Sequence, residues 1–360
     1  MRFTRTAARA AALLAVVVPL ALAGCSSTEA GSTPTIALLL PESKTTRYES
    51  IDRPEFEDVV AARCPECRVL YANASQDAAR QQQQAESALT QGATVLVLGA
   101  VDASAARAIV TAANARGAQV IAYDRFIADV PLAYFVAYDA VRVGQLQGRA
   151  LVDAVNDRGP IQPGQGVLVV NGATTDPNAA GLRLGLARAL DGSGIAVLAE
   201  YDTPDWSPDK AQEWVQGQLT QFAGRVVGVY AGNDGTAGGA ISAMRAAGMD
   251  PVPPVTGQDA ELAAIQRIVA GDQEMTVYKA IAQQARTAAE LAVRILRGET
   301  PAATAEVEGV PAVLLEPVAV TRDDVAEIIV GGGVFTTDQI CVEPYTAACR
   351  DLGLIGNEEG

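Results

Sequence analysis

From Pro34 onward, short unbroken apolar runs alternate with longer stretches in which apolar residues recur every three or four positions. The short runs predict strands over 36–40, 69–71, 95–98 and 119–122, and the longer stretches predict helices over 55–62, 77–91 and 104–116. Continuous apolar strands bounded by turn residues suit parallel sheets covered on both faces, and strands separated by amphipathic helices make βαβ units. A second series begins after Tyr138-Asp139: helix 141–155, strand 166–170, helix 178–190, strand 196–200, helix 208–222, strand 226–230, helix 236–247, strand 255–257, helix 261–270 and strand 275–278. The count predicts an α/β chain of two Rossmann-like lobes with parallel sheets. Helix 281–297 and the segment from Val313 follow the second series, so the chain is expected to cross between lobes more than once.

The N-terminus breaks this pattern. Arg2 and Arg5 precede an apolar run over 10–23, which is shorter than the ~20 residues that span a bilayer. A basic start, an apolar centre and small residues at the end make an export signal over 1–24. The ending Leu22-Ala23-Gly24-Cys25 resembles the lipobox of bacterial lipoproteins, which implies cleavage before Cys25, acylation of its thiol and amine, and a polar linker over 25–33. Cys64, Cys67, Cys341 and Cys349 remain, and outside the membrane four cysteines suggest bridges. Local pairing, Cys64 with Cys67 and Cys341 with Cys349, is preferred to a four-cysteine zinc site or a redox Cys-Pro-Glu-Cys. Redox motifs of that spacing open a helix after a strand, whereas this one follows a helix and precedes a strand.

Composition narrows the chemistry. With 360 residues, 49% of them apolar, the chain can bury two cores. Its formal charge is −15, and loss of Arg2, Arg5 and Arg9 with the signal leaves −18, a charge that repels nucleic-acid phosphates. No nucleic-acid partner is expected. There is no histidine, which excludes Ser-His-Asp and Cys-His catalysis and histidine-ligated zinc. Gly232 to Gly239 lacks both G-x-G-x-x-G spacing and a P-loop lysine, and the acidic residues show no twelve-residue calcium loop, so neither a metal nor a cofactor is expected.

In open α/β sheets, ligands bind beyond the carboxyl ends of the strands. There the sequence places Asp124-Arg125, Asp176 and Asn178, Asn233, Asp259 and Lys279. Each alone reads equally well as a helix N-cap or a surface charge. Together they bring carboxylates, amides and cations to five strand ends with no nucleophile–base pair. Such groups suit a neutral polyol, whose hydroxyls donate and accept at once. The apolar face of a sugar needs a flat partner, which Trp206 and Tyr48, in loops expected to lie exposed beside the cleft, could supply; Trp214 reads as core.

These residues form a recognisable pattern. Ala122-Tyr-Asp-Arg125, Val143-Gly-Gln-Leu146, Asn233-Asp-Gly-Thr-Ala-Gly-Gly-Ala240, Gly257-Gln-Asp-Ala-Glu-Leu262 and Met275-Thr-Val-Tyr-Lys279 resemble the type I periplasmic sugar-binding proteins of ABC importers, over about residues 36–333. The resemblance implies two lobes joined by a three-strand hinge, with crossings near 138–139, 278–279 and 310–316. It divides the chain into 34–138 plus 279–312, 139–278 plus 313–340, and a tail over 341–360. It implies no catalysis and a monosaccharide ligand, xylose or a similar aldose, held by Arg47, Tyr48, Asp124, Arg125, Asp176, Asn178, Trp206, Asn233, Asp259 and Lys279, with Tyr48 in place of the family's usual tryptophan. Hinge closure around the sugar would be read by an ABC permease and its ATPase, and the protein would act as a monomer anchored by lipid to the outer face of the cell membrane. Two alternatives use the same residues: a sugar sensor signalling to a membrane kinase, or an exported sugar-acting enzyme with Asp124, Asp176 or Asp259 as acid and base. Against the enzyme, Arg and Lys partners would hold those carboxylates ionised.

Overall fold

The computed structural model describes Met1 and residues 33–356; the expected signal and Cys25 lie outside the described residues. Its strands are β1 (Thr35–Leu40), β2 (Arg68–Asn73), β3 (Val95–Leu98), β4 (Gln119–Tyr123), β5 (Tyr134–Tyr138), β6 (Gly166–Asn171), β7 (Ala196–Asp202), β8 (Val226–Ala231), β9 (Met275–Tyr278), β10 (Ala305–Val307), β11 (Val310–Leu315) and β12 (Val318–Thr321). The first lobe is built on a sheet in the order β10-β11-β5-β4-β3-β1-β2, parallel except for the β10–β11 hairpin. The second lobe holds the parallel trio β7-β6-β8 and the antiparallel pair β12-β9.

Burial explains the apolar runs. One face of the first sheet packs Ile36, Leu38, Val95 and Val97 against Phe56, Val60, Ala288, Ala292 and Ile295. The other packs Leu39, Leu96 and Leu98 against Ala85, Ala88, Ile109 and Val110. With helices on both sides, a strand has no solvent face and needs no polar alternation. Helix starts are set by short polar side chains at the sheets' carboxyl edges: Asp77, Asp139, Asp176 and Asn233 each accept from backbone amides of the following turn.

The structure departs from the sequence reading in four places. The strand expected over 255–257 is reduced to isolated bridges, Val229 with Val255 and Gln258 with Val277. Backbone bonds still tie the segment in on both sides, from the Thr256 amide to the Val229 carbonyl of β8 and from the Val277 amide of β9 to the Gly257 carbonyl, while Pro253 and Pro254 carry no amide to extend the pairing backward. β5 and β10 to β12 were not expected; β5, five apolar residues, carried a readable signal, whereas β10 and β12 have only three and four residues. β11 pairs with β5 as far as Leu315 with Tyr138, so the third crossing lies between Leu315 and Val318 rather than at 312. The expected tail is not separate: Ile340 and Cys349 are buried with Ile265 and Ile268 of the helix Leu262–Ala270. Disulfides join Cys64 to Cys67 and Cys341 to Cys349.

Candidate functional site

The carboxyl ends of both sheets face one cleft. On the first lobe, buried Glu42 turns the loop after β1 by accepting from the amides of Lys44 and Thr45 at 2.5 and 3.0 Å. That loop delivers Arg47 and Tyr48 to the start of a π-helical turn, Tyr48–Asp52. Arg47 forks onto Asp52 through Nε and Nη2 at 2.9 and 2.7 Å, and Nη2 also donates to Gln284 Oε1 at 2.8 Å. Its remaining nitrogen, Nη1, reaches Asp124 Oδ1 at 3.2 Å. Tyr48 donates its hydroxyl to Asp124 Oδ2 at 3.1 Å, and the Arg47 and Arg125 guanidiniums lie 5.1 and 6.0 Å from its ring centre. Asp124 has φ +64°, a left-handed backbone that a non-glycine residue adopts only when its surroundings impose it.

On the second lobe, Asp176 caps the helix Pro177–Leu190 by accepting from the amide of Asn178 at 2.9 Å. Its other oxygen accepts from Trp206 Nε1 at 3.2 Å and meets Arg125 Nε, from the opposite lobe, at 2.8 Å. Asn178 donates its side-chain amide across the cleft to the carbonyl of Asp124 at 3.1 Å. Asn233 forms a capping box with Thr236, whose backbone amide donates to Oδ1 at 2.9 Å. Asp259 pairs with Lys279 Nζ at 2.9 Å and with Arg47 Nη1 at 3.9 Å.

All ten residues singled out in the sequence line this cleft, together with Thr45 and Gln258. Its free space is about 20 Å³, room for about one water, so a monosaccharide enters only if the lobes or side chains separate. The two aromatic residues are buried rather than exposed in loops: Trp206 is 5% and Tyr48 2% exposed. The indole lies so close to the backbone of Gly172 that a Cβ there would meet ring carbons at 2.1 Å, and one on Gly232 would meet the ring at 3.0 Å. Trp214 is half-buried and stacked on Tyr201, with ring centres 5.3 Å apart. Sequence reasoning missed Asp52 and Gln284, which hold Arg47. Gln284 is a buried polar residue on the inner face of the helix Ile281–Leu296, a signal visible only once that face is known.

Electrostatics differ between the carboxylates. Burial alone would raise the Asp124 carboxyl, but Arg47, Lys279 and Arg125 hold it well below the usual carboxylate range. Asp176 goes the other way: burial outweighs Arg125 and pushes its carboxyl up. The expectation that cations favour the ionised form of the site carboxylates is met in direction at Asp124, whereas at Asp176 burial outweighs its cation. Beside the cleft, burial and then the neighbouring Asp259 push Glu261 up to about 7.

Residues 36–300 match the family described as periplasmic binding protein domain. The chain belongs to the periplasmic binding protein family. Its curated relatives include the D-xylose-binding periplasmic protein of Escherichia coli, 34% identical over 274 residues, which are 74% of this chain and 81% of that protein. The protein of the same description from Haemophilus influenzae is 35% identical over 76% of this chain and 82% of its own length. Among solved structures, an ABC transporter solute binding protein from Clostridium phytofermentans with bound beta-D-glucose superposes with a TM-score of 0.77 at 25% identity, covering 85% of this chain and 99% of that one. As a periplasmic binding protein, the chain belongs with solute binders rather than enzymes. The match ends before β10, so β10 to β12 and the disulfide-bearing end lie beyond it.

Proposed function

We propose that this protein is the receptor of an ABC importer for a monosaccharide, xylose or a similar aldose, which it grips between its lobes and releases unaltered. The observation that carries the reading is the convergence on one cleft of cations, carboxylates and amides from both lobes, with an aromatic side chain from each. Relatives named for D-xylose binding support the choice of sugar. Arg125 to Asp176, Arg47 to Asp259 and Asn178 to the Asp124 carbonyl link the lobes in the volume a sugar would take. On opening, these groups exchange one another for water; on closing over a sugar, they exchange water for hydroxyls. Planar carboxylates and guanidiniums suit adjacent hydroxyls, and the Trp206 and Tyr48 rings suit a C–H face. Because the contacts come from both lobes, the sugar binds the closed form more tightly, and that difference is what a permease can read.

The proposed lobes are 34–138 with 279–315 and 139–278 with 318–356, hinged at the three crossings. Export and lipid attachment at Cys25 complete the reading, with the protein acting as a monomer. A thermal-shift panel of aldopentoses and aldohexoses tests the function: a ligand at a hundred times its Kd adds about 2.7 kcal/mol to stability. An aldopentose raising the melting temperature most is the expected result. No response from any aldose, or turnover of the sugar, would refute the reading. Mass spectrometry of the processed N-terminus tests the anchor, with an unlipidated Cys25 as the contrary result.

A further inference from the structure

Asp234 lies one residue beyond Asn233 and is fully buried. Its oxygens are the meeting point of three segments. Oδ1 accepts from Gln273 Nε2 at 2.8 Å, and Oδ2 accepts from the Glu261 amide and the Thr276 hydroxyl, both at 2.9 Å. The Thr276 oxygen in turn accepts from the Ala260 amide at 3.2 Å. The segment so held is backbone-strained: Asp259 has φ +94° and Ala260 φ +52°, conformations that persist only when fixed from outside. Room for the carboxylate is built in, since a Cβ on Gly257 would stand 2.0 Å from Asp234 Oδ1. Asn233, Asp259 and Lys279, the cleft groups of this part of the lobe, sit respectively before Asp234, within the strained segment, and after the strand that carries Thr276.

We propose that Asp234 is a positioning residue for the ligand site: by accepting from Glu261, Thr276 and Gln273 it holds Asp259 in the one backbone conformation that aims its carboxylate into the cleft. The proposal takes the cleft to be the sugar site, as above. Asp234 itself touches no ligand and is absent from the cleft lining. Burial pushes its carboxyl well up, and Glu261 adds to the shift. Even a protonated acid keeps acceptor lone pairs on both oxygens, which an amide nitrogen does not. Asp234→Asn is therefore the diagnostic change. In one orientation its NH2 confronts the Glu261 amide; in the other it confronts the Gln273 NH2, whose Oε1 is already engaged by Arg267 Nε at 3.0 Å. Neither orientation satisfies every donor.

Two readouts on the whole processed protein test this. Monodeoxy analogues of the best-binding aldose, titrated by calorimetry, report each hydroxyl separately. In Asp234→Asn the penalty for deleting one hydroxyl, the one Asp259 holds, is expected to shrink by about tenfold while the penalties at hydroxyls held by Asp124 and Arg125 remain. A uniform weakening of all analogues, or no change, would overturn the proposal in favour of a merely structural role. Amide hydrogen exchange without sugar is the second readout: the Ala260 and Glu261 amides should exchange at least about tenfold faster in the variant, ahead of neighbouring β8 and β9. Unchanged exchange there overturns the proposal whatever the sugar data say. Thr276→Val, which removes only the relay hydroxyl, should free the Ala260 amide alone and serves if Asp234→Asn fails to fold. If the native protein binds no aldose, the sugar reading falls and takes the ligand-positioning role with it, while unchanged exchange in a protein that does bind aldose sinks this proposal alone.

Discussion

Trp206 offers the most informative single perturbation, because its ring and its N–H do different things. The six-membered ring of the indole lies against Gly172 and Gly232, and Nε1 donates to Asp176 Oδ2 at 3.2 Å, the oxygen that also meets Arg125 across the cleft. Trp206→Phe keeps an apolar face and deletes the donor. A hydrogen bond to a charged group contributes about 1.5–3 kcal/mol, and water can replace part of it, so sugar affinity should fall about tenfold. Trp206→Ala also removes the wall, costs roughly 3–5 kcal/mol of stability as a buried aromatic truncation, and should lower sugar binding below calorimetric detection. Melting curves separate the two effects, since the Phe variant should lose no more stability than that one hydrogen bond, well short of the loss in the Ala variant. The chain has only two tryptophans, and Trp214 is not part of the cleft lining. A sugar-induced change in tryptophan fluorescence should therefore vanish in Trp206→Phe and survive in Trp214→Phe. A folded Trp206→Ala protein with native affinity, or a fluorescence change carried by Trp214, would refute the placement of Trp206 against the ligand.

Other consequences can be measured in the same preparations. Arg125→Met leaves Asp176 buried without its cation and should cost about 3–5 kcal/mol in urea unfolding; Arg125→Met with Asp176→Asn should recover much of that, and strictly additive losses would contradict the pairing. Glu261 accepts from the Thr46 amide of the opposite lobe at 3.4 Å, and its pKa of about 7 in the closed form exceeds the ordinary 4.5 expected when opening exposes it. Closing then takes up a proton, so sugar affinity is greatest at low pH and falls as pH rises from about 5 to about 7. Asp259, Asp234 and Arg267 also face this group, and Glu261→Gln should flatten the profile; a native affinity independent of pH over that range would show that closure does not shift Glu261. Replacing Cys341 and Cys349 together by Ser opens a short loop whose closure contributes about 2–3 kcal/mol. The melting temperature should drop while sugar affinity holds, and an affinity loss would tie the end of the chain to the cleft.

Local chemistry made much of this protein legible in advance. A buried parallel strand needs only an apolar run between turn residues, so β1, β3 and β4 could be read directly. Polar residues just beyond such runs fall at the sheet edge whatever the lobes do, which is why Asp124, Arg125, Asp176, Asn178, Asn233, Asp259 and Lys279 could be named without coordinates. Only the tertiary structure decided what those side chains face. Trp206 and Tyr48 are buried because two glycines admit an indole and because Asp124 accepts from the tyrosine hydroxyl, contacts between segments far apart in sequence. Gln284 meets Arg47 across 237 positions, and Asp234 meets Thr276 across 42. The segment 255–257 shows the same from the other side, since it lies between β8 and β9, bonded through Thr256 and Gly257 to partners that its own residues do not specify. Residue type and spacing set which groups the chain could bring to a cleft; the packing of distant segments set which carboxylate meets which cation, and hence which way the Asp124 and Asp176 carboxyls shift.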